Sequence, residues 1–470
     1  MTSVDPMEAL VEIVRDPAWL VGGAVRDRLL GRSTDDYDVV VDGDARQAAR
    51  ELARVTGAHA FALSEEFGVW RVVARGHSWQ LDVLPVGDGS IEDNLAGRDF
   101  TANAIAEPLG GGPYADPFGG VQDVARRRLR MVSSGAFAQD PLRTLRLARL
   151  ACELGFSVDE DTIAAARASS AALTRVAPER VFIELKRVLI ADRALVGLEL
   201  MDAIGATEVV LPEVSRMRGV GQSVYHHLDV YEHTRAVLAG VIELEQSPER
   251  WLGEHADAVS EFLAEPLADE LTRGQALRFG ALLHDVAKPV TRGVTDEGRV
   301  TFLGHDVAGA ELASAVLTRL RTSERLREHV AALTRHHLRL GFLVHEAPLE
   351  RRAIYSYLRT CEPVEVDVTL LSVADRLATR GKVAEAAIAR HLELARQLLG
   401  EALAWRAKRP RPPLRGDELA RAVGLRPGRE LGEILHELEV ASFAGEIASR
   451  EEAIERAREL AGRGRAGSSR

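Results

Sequence analysis

The chain has 470 residues, 46% of them hydrophobic and 28% charged, a formal net charge of −11 and two cysteines. That length accommodates roughly three or four domains, and Cys152 and Cys361 alone exclude a disulfide framework or a cysteine-based zinc site. A negative global field leaves nucleic-acid contacts to local basic patches. With no run of about eighteen apolar residues and no basic-then-apolar leader, a cytoplasmic protein without membrane partners is expected.

Residues 1–18 read as a helical lead-in. Trp19–Val21 is a short apolar strand, Gly22-Gly23 a sharp turn, and Ala24–Leu30 a helix stopped by Gly31. Asp36-Tyr37-Asp38 then leads into the β-branched run Val39–Val41. Strand alternation sends the Asp36 and Asp38 carboxylates to one face. Such a pair needs a cation between its members, and Mg²⁺ suits both carboxylate and phosphate oxygens. The Gly22-Gly23 turn, the helix N-terminus behind it and Arg26 offer donors to an anion. Either motif alone is ordinarily a turn or a solvated loop; together they suit in-line nucleotidyl transfer beside a metal pair.

LVGGAVRDRLLG…DDYD resembles the signature of the class II tRNA nucleotidyltransferases and bacterial poly(A) polymerases, within the polymerase-β-like superfamily. The resemblance implies an α+β protein: a small mixed-sheet head over 1–130, a helical neck over 131–210, a helical metal-binding domain over 211–405 and a helical tail over 414–460, with 461–470 disordered. It also implies tRNA, CTP and ATP as partners, and two-metal attack of the RNA 3′-hydroxyl on the nucleotide α-phosphate.

Further along the head, Ala45–Arg54 reads as a helix, and Ala58–Leu63 and Val69–Ala74 as strands. In the strand Trp79–Leu84, alternation separates Leu81 and Val83 from Gln80 and Asp82. Asp82 is either an ordinary edge-strand residue or the third carboxylate that the resemblance places on this strand. Gly97-Arg98-Asp99-Phe100-Thr101-Ala102-Asn103-Ala104 is similar to the family's second motif. The likeness implies nucleotide contacts for Arg98 and Asp99, with Asn103 ordering the turn; Gly97 stands where the family usually has another arginine. Asp116–Gly120 reads as a structural turn, and Arg126–Arg130 as a solvated segment or a phosphate patch.

At Asp140-Pro141, aspartate before proline reads as a helix N-cap with proline at the first position. Arg143, Arg146 and Arg149 recur every three residues along that helix. One Asp–Arg pair could admit cytosine and adenine, which present an amino donor beside an acceptor, and refuse guanine and uracil. The family's template motif works in that way. Here Gln139 replaces its glutamate while Asp140 and Arg143 match, and Arg146 and Arg149 map to positions touching base or phosphates. Pro178–Lys186 resembles the last neck motif and reads as support for the templating helix.

Beyond residue 222 the histidines cluster: His226-His227, His233, His284-Asp285, His305 and His336-His337, followed by Asp375. Their order resembles the HD phosphohydrolase superfamily, which implies His233, His284, Asp285 and Asp375 as ligands. Imidazole with carboxylate suits Mn²⁺, Ni²⁺, Fe²⁺ or Zn²⁺, and the chemistry implied is metal-assisted phosphoester hydrolysis. Lys408–Pro413 is a linker, and Leu414–Leu460 resembles the tRNA-holding tail. Only fifteen residues separate Asp82 from Arg98 (98 − 82 − 1), too few for the flexible segment that CCA-adding members use to switch from CTP to ATP. That predicts a CC-adding specialist. The alternatives are a poly(A) polymerase, or a protein whose principal activity is that of the HD site.

Overall fold

The computed structural model describes residues 5–87, 89–222, 228–379 and 384–467. The chain divides into two compact units, 1–211 and 212–470. The architecture is the expected α+β head followed by helical regions.

Unit one opens with α1 (Pro6–Ile13), capped by the Asp5 carboxylate on the Met7 and Glu8 amides. Then follow β1 (Ala18–Val21), α2 (Gly23–Leu29), β2 (Asp36–Val41), α3 (Ala45–Thr56), β3 (His59–Ser64), β4 (Val69–Val73) and β5 (Gln80–Pro85). After α4 (Ile91–Ala96) and β6 (Ala106–Pro108) the sheet is complete, in the order β3-β4-β5-β2-β1-β6. Every pair is antiparallel except β2 with β5. That parallel pair comes from a crossover in which α3 and the β3–β4 hairpin are spliced between the two strands.

Alternation explains the layering. Leu20, Val39, Val41, Val72, Leu81 and Val83 are buried on one face, the face that α3 covers with Ala45, Ala48, Ala49 and Leu52. The opposite face is split. Val40 and Leu84 join Val21, Ile91 and Leu95 in an apolar cluster beneath α4. At the other end of the same strands, Asp36, Asp38, Gln80 and Asp82 occupy the equivalent positions.

The head ends with α5 (Gly120–Ala125), and the neck runs through α6 (Ala136–Gln139), α7 (Arg143–Leu154), α8 (Glu160–Ser169) and α9 (Pro178–Ile190), then helices Ala194–Ala203 and Ala206–Val210. Two departures from expectation occur here. The segment is not wholly helical, because Ser157–Val158 pairs in parallel with Arg128–Leu129. The helix after Asp140 begins at Arg143. Asp140–Leu142 is a turn in which the Asp140 carboxylate accepts from the Leu142 amide (3.1 Å) and its carbonyl from the Arg143 amide (3.1 Å).

Unit two is built on helices Val230–Gln246, Arg273–Leu283, His305–Arg319, Glu324–His336 and Glu365–Ala378, packed side by side. After Ala384–Ala407 and the irregular 408–415 come the tail helices Gly416–Val423, Arg429–Ala444 and Arg450–Gly467, closed around Leu419, Leu431, Leu438 and Ala453. The last helix runs past residue 461, where disorder was expected. Ala453, Ala457 and Ala461 recur every four residues and bury one continuous stripe of this helix.

Candidate active site and metal centre

Backbone register assembles the first site. Asp38 lies directly opposite Asp82 in the parallel β2–β5 pair, and Asp36 opposite Gln80. Registered neighbours share a face, so the three carboxylates lie together at one end of the sheet. Asp36 is exposed, Asp38 half-buried and Asp82 buried. Gln80 Nε2 donates to Asp36 Oδ1 at 3.0 Å. From the next strand Arg71 grips Asp82 with two parallel bonds, Nε to Oδ1 at 2.7 Å and Nη2 to Oδ2 at 2.8 Å. Strand alternation puts Arg71 and Gln80 on this face, but without the pairing register neither carries a signal of its own. Burial lifts the Asp38 carboxyl above its ordinary value; Arg98 opposes this, while Asp82 and Asp36 reinforce it. These like charges in a half-desolvated row are a donor set suited to a hard divalent cation.

Beside them Gly22 turns the chain from β1 into α2 at φ +76°. A Cβ there would lie 2.6 Å from Arg98 Nη1 and 3.0 Å from Asp38 Oδ2, so glycine is what lets backbone, guanidinium and carboxylate come together. Gly23 opens α2 immediately after. Burial pulls the Arg98 guanidinium below its usual value, and Asp38 and Asp99 only partly offset it. Its Nε is buried without a hydrogen-bond partner. An incompletely compensated guanidinium with an unused donor suits a phosphate-binding arginine.

The remaining predicted contacts divide. Asp99 is buried, pairs with Arg146 (2.6 Å) and accepts from Asn103 Nδ2 (2.9 Å). Burial works against its ionisation, but Arg146 and Asn103 outweigh it and hold the carboxyl below the ordinary range. Arg26 points inward to Asp27 and to Asn103 Oδ1 (2.6 Å), so it braces the turn behind the site instead of extending toward an anion. Arg143 donates to the Gly97 carbonyl (2.6 Å) and the Arg98 carbonyl (3.2 Å), tying α7 to the Arg98 loop. Asp140 pairs with Arg180 of α9 at 2.8 Å, a direct link for the supporting neck motif.

Arg149 is not brought to this groove. It is buried against Glu184 and Glu153. Steps of three residues advance 300° around a helix, so six residues carry a side chain about 120° away from Arg143. In the basic run, Arg128 and Arg130 both neutralise buried Asp123, which also accepts from Thr101 (2.7 Å).

The second site lies within unit two. Two groups of potential ligands stand side by side, His233, His284 and Asp375, and Asp285, His305 and His337. His233 reaches Asp375 at 3.0 Å and His284 reaches Asp285 at 3.1 Å. Burial opposes ionisation of Asp285, but His284 and Lys288 (2.7 Å) outweigh it and hold the carboxyl well below the ordinary range. His284, His305 and His337 each direct Nδ1 at the carbonyl three residues earlier, at 2.9, 2.6 and 2.6 Å. A donor at Nδ1 leaves the Nε2 lone pair facing inward, the arrangement a metal-binding imidazole needs. Asp285 Oδ2 thus faces Lys288 Nζ and His284 Nε2, whereas Asp285 Oδ1 and His305 Nε2, 3.4 Å apart, are buried with no well-formed hydrogen bond. Buried polar atoms converging in this way fit a divalent cation. His305 and His337 are the potential ligands that the sequence resemblance did not include, and His336 of the paired histidines stays outside, bonded to Arg339. His226 and His227 lie outside the described residues.

Three family descriptions match the chain: "Poly A polymerase head domain" over residues 18–130, "Probable RNA and SrmB- binding site of polymerase A" over 155–217, and "HD domain" over 230–380. It is 37% identical to the A-adding tRNA nucleotidyltransferase of Deinococcus radiodurans, over 93% of this chain and 94% of that one. It is 36% identical to the CC-adding tRNA nucleotidyltransferase of Thermus thermophilus, over 93% and 92%. In fold it is similar to a Thermotoga maritima CCA-adding enzyme complexed with tRNA (TM-score 0.62, 19% identity, covering 97% and 96%). With that identity spread over nearly its whole length, the chain belongs to the tRNA nucleotidyltransferase family.

Proposed function

We propose that this enzyme adds cytidine to the 3′ end of tRNA by attack of the RNA 3′-hydroxyl on the α-phosphate of CTP, and that its head is a CC-adding specialist. The observation that carries the reading is the carboxylate row of Asp36, Asp38 and Asp82 beside the under-compensated Arg98. Asp36 and Asp38 would hold Mg²⁺, with Asp82 kept in place by Arg71. Bound there, Mg²⁺ supplies positive charge to the attacking hydroxyl and the departing pyrophosphate. Arg98, next to the Gly22 turn, takes the triphosphate, and Asp99 fixes Arg146 beside it.

Asp140 and Arg143 read the base edge. Asp140 accepts one bond at each oxygen, from Arg180 and from the Leu142 amide, and an ionised carboxylate has about four acceptor sites, so capacity remains for an exocyclic amino group. Arg143 likewise keeps donors beyond those given to carbonyls. Its neighbour Arg149 supports α7 instead.

The short link from β5 to α4, residues 86–90, supports the CC restriction, since it leaves no room for a segment that swings when ATP replaces CTP. A cytoplasmic location accords with this role, and among the described residues no helix is long and apolar enough to cross a membrane. Labelled CTP and ATP, offered to tRNA lacking its CCA end, test the proposal. Two cytidines and no adenosine are expected; efficient ATP incorporation after them refutes the specialist assignment. ATP runs on arbitrary RNA ends would identify a poly(A) polymerase instead.

The histidine–aspartate cluster favours a second activity, metal-assisted phosphoester hydrolysis in unit two. His284→Ala should abolish it and leave cytidine incorporation intact, with Asp38→Asn giving the converse. Loss of cytidine incorporation with His284→Ala alone would place the main chemistry in the HD site.

A further inference from the structure

Strand register carries one row of side chains outward from the carboxylates of the head. Asp38 lies opposite Asp82, Asp82 opposite Arg71, and Arg71 opposite Phe61 of the edge strand β3. Registered neighbours share a face, so Phe61 stands on the catalytic surface, while α3 covers the reverse. Two strand spacings put it roughly 10 Å from Asp82. Phe61 and Leu63 are each 47% exposed, on an edge strand where charge would be the ordinary choice. The next row, Asp36, Gln80 and Val73, lines a groove of about 230 Å³ together with His77 and Trp79. Gly22 and Arg98 flank the carboxylates on the other side, toward β1.

In-line attack brings the hydroxyl in from the side away from the departing pyrophosphate. With the triphosphate at Gly22 and Arg98, the RNA end arrives over β5, β4 and β3. We propose that the last nucleotide of the RNA sits in the groove beside Asp36 and that the unpaired base before it stacks on Phe61, which makes the outer half of the sheet a platform for the acceptor strand. This inference rests on the cytidine-adding reading. Continuity with the carboxylate row singles out RNA as the occupant, because the attacking hydroxyl has to reach that row. Arg71 gives two bonds to Asp82, so it offsets the acid nearest the incoming strand. Stacking tolerates any base. That suits an end which gains a cytidine and then has to shift by one nucleotide.

The test uses the full chain and tRNA already carrying the first added cytidine, with 2-aminopurine in the unpaired position before it. Stacking quenches the emission of that base. Phe61→Ala should raise KM for this RNA about 10-fold, leave KM for CTP unchanged and restore the emission. Phe61→Trp should keep both parent values, whereas Phe61→Leu, apolar but without a ring, should behave as Phe61→Ala does. Val73→Trp, which fills the groove, should also raise KM for RNA. Val55→Ala, at a 42% exposed position on α3, is the control and should change nothing. Unchanged KM and emission in Phe61→Ala overturn the platform, and are what a surface for a protein partner or a second copy would give. Failure of the parent protein to incorporate cytidine overturns instead the reading on which the platform rests.

Discussion

Replacing Gly22 by alanine separates two costs that normally occur together. The residue sits at φ +76°, ψ −138°, a region essentially reserved for glycine, so an L side chain there costs about 1–3 kcal/mol. The new Cβ would also lie 2.6 Å from Arg98 Nη1 and 3.0 Å from Asp38 Oδ2. The guanidinium has to retreat by roughly an ångström and the carboxylate by a few tenths, and misplacement on that scale can cost about 100-fold in rate. Gly31→Ala is the control. It stands at φ +69° with nothing within 4 Å of its would-be Cβ, so it carries backbone strain without crowding the site. Both variants should lose about 1–3 kcal/mol in urea denaturation. Only Gly22→Ala should lose about 100-fold in kcat/KM for CTP incorporation. Equal kcat/KM values for the two would refute the claim that Gly22 allows Arg98 and Asp38 to meet.

Asp38→Asn should abolish incorporation and yet raise the thermal midpoint in chelator. The folded carboxyl titrates above its unfolded value near 3.9, so its ionisation destabilises the fold once pH rises past that value. The midpoint difference should be about zero below pH 4, grow with pH, and level off once the carboxylate is fully charged; a difference independent of pH would show that charge is not the cause. Arg149→Ala should cost about 3–5 kcal/mol by leaving Glu184 buried without its partner, with KM for CTP unchanged in the folded fraction. A raised KM at full stability would return Arg149 to the nucleotide site. Asp140→Ala should narrow discrimination between CTP and UTP by about 1–3 kcal/mol, read as the ratio of their kcat/KM values. An unaltered ratio would remove Asp140 from base reading.

Local pattern carried much of the head. Period-two alternation was enough to put Asp36 with Asp38 and to put Asp82 opposite Leu81 and Val83, because strands keep that rule whatever they pack against. The partners of those carboxylates were not legible, since Arg71 and Gln80 reach them only through the pairing of β4, β5 and β2, which is tertiary. Arg149 misled because spacing by three looks like one face but drifts 60° backward at each step. His305 and His337 are ordinary in their own surroundings, one at a helix start and one at a helix end; only the packing of separate helices around Asp285 gives them meaning. The final helix was underestimated for a different reason: a Gly/Arg/Ser-rich composition after residue 461 outweighed an alanine stripe that begins at Ala453.

The parallel β2–β5 pair also bears on how the enzyme is made. Its acidic partners are 44 positions apart, Asp38 and Asp82, and β5 has to slide between two strands already synthesised, β2 on one side and β4 on the other. A ribosome-bound chain that has emerged only as far as β4 therefore has an incomplete sheet and no third acid. Competence in the head arrives late and in a single step, so truncated translation products of this domain are expected to be inert toward nucleotides.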